Sequence, residues 1–159
     1  IRDERNKVQD GEMVYMFNHY DSNGNWTEFR PIRYGYSILW MWGNNDNSHK
    51  QQADSLKQIY KKLDGRLFVA DVYTETDTVL WRKKFTADST EWIHYWNPGG
   101  PYNPRTSYLK VFDTPTILLI DSLGKCVYKG SAMAEIEKII SKNDNLKGLI
   151  NKGNATKIK

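Results

Sequence analysis

The sequence predicts a single α/β domain built around a sheet that contains parallel strands. From Tyr36 onward, apolar strand-like runs alternate with helical patterns, and the first run, Tyr36–Trp42, has no polar interruption after Ser37. An unbroken apolar run is typical of a strand buried on both faces, and the alternation is typical of parallel strands covered by helices. The length of 159 residues fits one domain.

A β-hairpin is predicted ahead of this alternation. Two short apolar stretches, Met13–Phe17 and Trp26–Phe29, flank the polar loop Asp21–Asn25, which contains a glycine. The charged residues 1–10 are expected to be a flexible N-terminal segment. We place the domain itself at residues 11–150.

The stretch from the first core strand into the first helix is the most informative part of the chain. The strand Tyr36–Trp42 runs into the turn signal Gly43-Asn44-Asn45. A turn between a strand and a helix points backbone N–H groups and the positive end of the helix dipole at whatever lies on it. Such a position makes a cysteine reactive, and this chain has none there. The helix is predicted by apolar residues along one face: Ala53, Leu56, Ile59, Tyr60 and Leu63.

Local signals set the remaining boundaries. Gly65 follows Asp64 where the first helix should end, as a helix C-cap does. Residues 97–104 hold three of the five prolines and two glycines, which predicts a loop. The apolar spacing fades after Lys142, and residues 151–159 are expected to be a frayed tail. Because the chain begins with Ile and not Met, we expect it to be cropped, with any leader or anchor lost.

The composition argues against several classes of function. A formal charge of +4 arises from 23 basic and 19 acidic residues, and the lysines are scattered, which gives nucleic-acid binding little support. No apolar run approaches the roughly 18 residues that a membrane span needs. The one cysteine, Cys126, forbids a disulfide within the chain. We expect no cofactor, and the oligomeric state stays open.

The strand–turn–helix resembles the thioredoxin fold, and more closely the TlpA/ResA-type thiol-disulfide oxidoreductase relatives of Bacteroides-like bacteria. Those proteins carry an aromatic-Trp pair, three residues, Cys-x-x-Cys, a Lys and a helix. The same spacing from Trp42 places the first cysteine position at Asp46 and the second at His49, followed by the expected Lys50. The Cys-x-x-Cys is thus replaced by Asp46-Asn47-Ser48-His49.

The resemblance extends over roughly residues 30–142 and implies a thioredoxin-like three-layer α/β/α sandwich with a mixed central sheet and an N-terminal β-hairpin. It also implies a periplasmic or cell-envelope location. In chain order it implies a second core strand at residues 66–72, a helix at 81–85, a short Trp…Asn segment at 92–97, a cis-proline turn and third core strand within 108–121, an edge strand at 125–128 and a closing helix at 132–142.

The substitutions at the two cysteine positions remove the chemistry of the family. Thiol–disulfide exchange needs a thiolate that attacks a disulfide and a second thiol that resolves the mixed disulfide. Neither the carboxylate of Asp46 nor the imidazole of His49 can do this. Cys126 follows a turn on the predicted edge strand, where a cysteine is usually buried and inert, although a surface monothiol is the alternative. No catalytic residue is therefore nominated.

The polar turn has a structural interpretation and two functional ones. Ser48 and Gln51 have the spacing of a capping box, which stabilises a helix start by about 1 kcal/mol. Alternatively, Asp46 and His49 at i and i+3 could face one another. They could also supply two metal ligands, but a stable site needs three or four, and neither His19 nor His94 is nominated as another, so no metal is expected.

Thr114-Pro115-Thr116 precedes an apolar run, which places Pro115 at the first residue of a strand or at a bend. The resemblance implies a cis-proline that faces the strand–helix turn, with Thr114 offering backbone groups to an extended peptide. The expected groove is lined by Trp42, Asp46, His49, Thr114 and Pro115, and the nominated binding residues are Trp42, Asn47, Ser48, Thr114 and Pro115. The alternative is that the proline only serves a bend of the sheet.

Aromatic residues are frequent and concentrate around the proline-rich loop. Trp92, Tyr95, Trp96 and Tyr102 could form a platform for sugars or extended peptides if they are exposed. The resemblance instead implies that Trp81 and Trp92 pack in the core, which leaves Tyr102 as the aromatic residue that we expect to be exposed.

These observations favour a redox-inactive thioredoxin-like domain that acts outside the cytoplasm as a binding or accessory module for a peptide or protein. One alternative is a thiol-disulfide oxidoreductase that works with Cys126 or a partner's thiol. A second is a sugar- or peptide-binding domain that uses the aromatic loop over residues 92–104. The sequence favours a protein that is not an enzyme but leaves this question open.

Overall fold

The structure is a computed structural model that describes residues 11–14, 16–30, 32, 35–63, 66–99, 103, 109, 111 and 113–143. One sheet contains seven strands: β1 (Phe17–Tyr20), β2 (Trp26–Phe29), β3 (Tyr36–Trp42), β4 (Leu67–Tyr73), β5 (Ile93–Trp96), β6 (Thr116–Ile120) and β7 (Cys126–Gly130). The helices within the described ranges are α1 (His49–Lys62), α2 (Thr78–Asp88) and α3 (residues 133–143).

The sheet is mixed, as predicted. Its strand order is β2-β1-β5-β4-β3-β6-β7. The three strands β3, β4 and β5 are parallel, whereas β1, β6 and β7 each pair antiparallel with their neighbours. Met41 of β3 lies opposite Thr116 of β6. This register brings the residue before β6, Pro115, to the edge of the sheet where β3 ends.

Strand β3 is buried along its whole length, as its unbroken apolar sequence predicts. Because side chains alternate across a strand, Ile38, Trp40 and Trp42 enter one cluster while Leu39 and Met41 enter the other. The described helices all contribute to the first cluster, through Ala53, Leu56 and Ile59 of α1, Trp81 and Phe85 of α2, and Ile136 and Ile140 of α3.

The predicted hairpin is present, but its first strand begins later than predicted. Strand β1 starts at Phe17, and Met13 instead forms a bridge with Lys125. The N–H of Val14 donates to the carbonyl of Gly124 at 2.8 Å, and the Val14 side chain is buried. The segment before the hairpin therefore runs beside the start of β7, because that position buries Val14 in the core.

The other predicted elements lie within a few residues of their expected positions. The second core strand is β4, the helix expected at 81–85 is the longer α2, and the closing helix is α3. The Trp…Asn segment contains strand β5, which was not predicted from the sequence. Gly65 and the chain after residue 143 lie outside the described residues, so the predicted helix cap, tail and domain limits stay predictions.

Gly35 occupies a position that no other residue could take without strain. Its φ is +76°, and a Cβ there would lie 1.9 Å from the carbonyl oxygen of Arg66. Directly after it, the N–H of Tyr36 donates to the same carbonyl at 3.2 Å. The glycine thus permits β3 and β4 to begin side by side.

His19 of β1 is a buried titratable group. Its ring stacks on Tyr95 with the ring centroids 4.8 Å apart. Burial lowers the pKa of His19 from 6.5 to about 3, because the charged imidazolium would lose its hydration. Folding therefore requires a neutral His19 at every pH above that value.

We expect His19 to make the protein less stable as the pH falls. Below pH 6.5 the unfolded chain binds a proton that the folded chain excludes, so between pH 7 and pH 5 the free energy of unfolding should fall by about 2 kcal/mol on this account. The variant His19→Phe keeps a ring against Tyr95 and should lack this component. Urea unfolding of both proteins at the two pH values measures the difference, and equal pH dependence in the two would contradict the assignment.

Candidate functional site

Asp46 stands at the first of the two positions where the resemblance places cysteines. Its Oδ2 accepts the backbone N–H of Gly43 at 2.8 Å, and its Oδ1 accepts the hydroxyl of Thr114 at 3.0 Å. The Thr114–Pro115 peptide bond is cis. The carboxylate thus joins the turn after β3 to the residue that precedes Pro115, and it remains partly exposed.

The capping box predicted for Ser48 is wrong. Ser48 is the N-cap of α1, but its side chain makes no capping hydrogen bond. Its backbone has φ −92° and ψ 8°, whereas an N-cap side chain that reaches the next turn usually needs extended backbone. Asp46, and not Ser48, accepts a backbone N–H at this turn, that of Gly43.

His49 stands at the second cysteine position and lies in the core, 3% exposed. Its ring lies against Trp40 and Trp42, with centroid distances of 4.7 and 4.4 Å. Its Nε2 is 2.6 Å from Asp88 Oδ2 at the end of α2, and its Nδ1 has no hydrogen-bond partner in the described part of the chain. His49 therefore pairs with Asp88, and the alternative that it faces Asp46 is wrong.

A buried carboxylate, Asp71 of β4, lies beneath the turn. It is 2% exposed and accepts the indole N–H groups of Trp42 at 2.9 Å and Trp92 at 3.0 Å. It also bonds Nδ1 of His94 on β5. Three donors offset the cost of burying the carboxylate, and they fix the orientation of Trp42 just before the turn.

The other side of the turn is attached to the segment after β4. Glu75 accepts the N–H of Asn44, and the hydroxyl of Tyr73 donates to Asn44 Oδ1 at 2.5 Å. Burial raises the pKa of Tyr73, and the negative charge of Glu75 raises it further. A Cβ at Gly43 would lie 2.7 Å from Glu75 Oε2 and 2.9 Å from Thr114 Oγ1, so a larger residue there would displace these two side chains.

A groove of about 500 Å³ lies beside Pro115. We call it the proline groove. It brings together three of the nominated binding residues, Ser48, Thr114 and Pro115. The complete lining is Ser48, Gln51, Gln52, Ser55, Asp113, Thr114, Pro115, Ser131 and Met133.

Other nominated residues do not line this groove. Trp42 and His49 are buried by the packing of β3 against α1, so the prediction that their side chains form its wall is wrong. Asn47 is exposed on the turn but is not part of the lining. Asp46 reaches it indirectly, through its hydrogen bond with Thr114.

Cys126 is buried in the cluster on the opposite face from α1, with its Sγ 3.3 Å from the carbonyl oxygen of Tyr128. It pairs with Ile120, whereas the turn lies at the Thr116 end of β6. Four residues of strand separate these ends, roughly 13 Å at ~3.3 Å per residue. The buried position is as predicted, and the alternative of a surface thiol acting at the turn is wrong.

Of the four aromatic residues that could form a platform over residues 92–104, the three that the structure describes are buried or half-buried. Trp92 and Tyr95 are 5% and 4% exposed, because both pack in the core, as predicted for Trp81 and Trp92. Trp96 is half-buried and donates its indole N–H to the carbonyl of Glu75 at 2.7 Å. Tyr102 lies outside the described residues.

The described residues contain neither a membrane-spanning helix nor a cluster of metal ligands. No helix among them is long and apolar enough to cross a membrane. No three of their His, Cys, Asp or Glu side chains form a group that could hold a metal ion.

No family model matches the sequence, and no curated protein matches it either. Solved structures do match. A thioredoxin domain of a thiol-disulfide oxidoreductase from Bacteroides vulgatus is 18% identical with a TM-score of 0.71, over 84% of this chain and 99% of that one. A thiol:disulfide interchange protein from a Bacteroides species is 18% identical with a TM-score of 0.70, over 85% and 92%.

A third match is a thiol-disulfide oxidoreductase from Bacteroides fragilis, 14% identical with a TM-score of 0.68, over 80% of this chain and 99% of that one. The three superpositions cover most of each protein. The chain therefore has the thioredoxin-like fold, as the resemblance implies. It carries that fold with one cysteine, which lies away from the turn.

We expect the hydrogen bond between His49 and Asp88 to contribute to stability. In a double-mutant cycle of His49→Ala and Asp88→Ala, the coupling free energy should be about 1.5–3 kcal/mol, because the pair is buried and one partner is a carboxylate. The exposed pair Lys50–Asp54 on the same helix is a matched control, with an expected coupling below about 0.5 kcal/mol. Similar couplings for the two pairs would show that the buried contact has no special role.

Proposed function

We propose that this domain is a redox-inactive relative of thiol-disulfide oxidoreductases that binds an extended peptide or protein segment in the proline groove. One observation carries the proposal. The place where this fold positions a reactive thiol is occupied by Asp46, whose carboxylate is already bonded to Gly43 and Thr114. The neighbouring groove beside Pro115 is open to a ligand.

The absence of dithiol chemistry follows from the residues at the turn. A carboxylate cannot form the mixed disulfide, and the imidazole that replaces the second thiol is buried against two tryptophans. The sulfur of Cys126 is on the other face of the sheet and at its other end. No sulfur in the chain can take part in exchange at the turn.

A binding role is supported by the form and chemistry of the proline groove. Ser48, Gln51 and Ser55 contribute polar side chains from the N-cap and first turns of α1, and Thr114 and Pro115 contribute to the lining from the segment before β6. An extended peptide needs hydrogen-bonding partners along its backbone and space for alternate side chains, and a groove of this composition offers both. The ligand we propose is therefore a polar, extended segment.

The proposed location is outside the cytoplasm. The support is the fold's likeness to proteins described as thiol-disulfide oxidoreductases and a thiol:disulfide interchange protein. Disulfides form and persist mainly in oxidising compartments outside the cytoplasm, and we propose that a non-catalytic relative of disulfide interchange proteins acts there too.

We expect no reductase activity unless the thiols are restored. The wild-type domain should not accelerate insulin reduction by dithiothreitol, and Cys126→Ala should behave in the same way. The double variant Asp46→Cys with His49→Cys should form an intramolecular disulfide, because it re-creates the spacing of two cysteines at a helix N-terminus. Quantification of free thiols by mass spectrometry measures this, and turnover by the wild type that Cys126→Ala abolishes would refute the proposal.

We expect Gln51→Arg to weaken capture of extended peptides at least about tenfold, because a long side chain there would fill the proline groove. The matched control is Gln58→Arg, two turns further along α1, which has the same residue type and exposure but lies away from that groove. Binding of a fluorescent library of extended peptides to the two variants and the wild type tests this. Equal binding by Gln51→Arg and Gln58→Arg would exclude the proline groove as the site.

A further inference from the structure

A second set of side chains, Asp71, His94 and Thr90, forms a hydrogen-bonded series of carboxylate, imidazole and hydroxyl. Asp71 Oδ2 bonds Nδ1 of His94. The other ring nitrogen, Nε2, is 3.1 Å from the hydroxyl of Thr90. Asp71 and His94 are directly opposed residues of β4 and β5, so two strands of the sheet hold the carboxylate and the imidazole in place.

The surroundings orient the imidazole of His94. In the neutral ring, a carboxylate on Nδ1 makes that nitrogen the donor and leaves Nε2 as the acceptor. Phe85 stacks on the ring, with centroids 4.2 Å apart and planes inclined by 11°. The indole groups of Trp42 and Trp92 hold Asp71 in turn. The lone pair of Nε2 is thereby directed at the Thr90 hydroxyl.

Thr90 is accessible from a second groove. This groove has a volume of about 570 Å³ and lies between α1 and the segment that follows α2. Thr90 is one of its lining residues, together with aromatic side chains (Tyr60, Trp92), two lysines (Lys57, Lys61) and two carboxylates (Asp54, Glu91). His94 lies behind Thr90 with its side chain 12% exposed.

The pair His49–Asp88 provides a comparison within the same molecule. It has the same two groups, but in the described part of the chain no hydroxyl or other partner bonds its remaining ring nitrogen. A histidine–carboxylate pair can therefore be accommodated in this core without a hydroxyl at its end. The hydroxyl of Thr90, at the wall of a groove, is the additional feature that nucleophilic catalysis requires.

We propose that Thr90 is a nucleophile towards acyl esters, with His94 as its general base and Asp71 as the residue that positions His94. Thr90 Oγ1 would form a bond to the carbonyl carbon of the ester while its proton moves to His94 Nε2. The bond from that carbon to the alkoxy oxygen then breaks, and the alcohol leaves with the proton from His94. Water cleaves the resulting Thr90 ester by the same steps and releases the carboxylic acid.

The second groove indicates which esters would be favoured. Tyr60 suits an aromatic group. The ammonium groups of Lys57 and Lys61 are balanced by the carboxylates of Asp54 and Glu91, and Lys57 Nζ lies 3.8 Å from Asp54 Oδ1, so the groove does not select for charge. The proposed substrates are thus small esters that carry an aromatic group. This activity is independent of peptide binding in the proline groove.

The test uses the whole chain with p-nitrophenyl acetate and p-nitrophenyl benzoate. Wild type should release p-nitrophenolate and carry a transient acyl group on Thr90, found by peptide mass spectrometry. Thr90→Val should slow release at least about 100-fold, whereas Thr90→Ser, which keeps the hydroxyl, should retain it. The matched control Thr86→Val removes an exposed threonine hydroxyl from α2 and should react like the wild type.

Two results would overturn the proposal. The first is that the wild type and a folded Thr90→Val variant release p-nitrophenolate at the same rate, and that mass spectrometry finds acyl groups on lysines only. The other is a wild-type protein that neither turns over these esters nor becomes acylated on Thr90, a result that needs no variant to fold. Because Gln51→Arg lies in the other groove, it should leave ester cleavage unchanged, so failure of one proposal can be told from failure of the other.

Discussion

Strand β3 lies between β4 and β6, and the candidate site depends on how these two strands align with it. The parallel pairing with β4 sets Trp40 opposite Asp71, and the antiparallel pairing with β6 sets Met41 opposite Thr116. Because of these two alignments, polar groups of β4 and of the segment before β6 lie at the end of β3. Asp71 lies within hydrogen-bond distance of the Trp42 indole, and Thr114 lies within hydrogen-bond distance of Asp46 on the turn. A shift of one residue in either register would reverse the faces of these side chains, so the buried apolar sequence of β3 stabilises the site as well as the core.

The two residues at the cysteine positions have separate structural roles. Asp46 stays at the surface of the turn and joins it to Thr114. His49 is drawn into the core, because the ring fits between Trp40 and Trp42 and Asp88 satisfies one of its nitrogens. The turn is thus held by polar contacts on both sides. Such a turn suits a surface that binds a ligand without changing its own covalent state.

Buried polar groups are concentrated on the same face of the sheet as α1 and α2. Asp71, His94 and His49 lie among the tryptophans there, and each of the three is hydrogen-bonded. Polar groups in a low-dielectric core are costly when unpaired, so these contacts fix the relative positions of β4, β5 and the end of α2. The hydrogen-bonded series through Asp71 and His94 continues to Thr90 at a surface groove. The hydrogen bond between His49 and Asp88 has no such extension in the described part of the protein.

The α/β class, the hairpin, the positions of β3 and α1 and the absence of a dithiol could all be predicted from the amino-acid sequence, because apolar periodicity and cysteine count are local properties. The sequence did not determine where Val14 packs or that the side chains of Trp42 and His49 are buried away from the proline groove. Those outcomes depend on partners far along the chain, such as Lys125, Asp88 and Asp71. Only the tertiary structure brings Thr90, His94 and Asp71 into one series, since two neighbouring strands must first pair before a carboxylate and an imidazole that are 23 residues apart can meet.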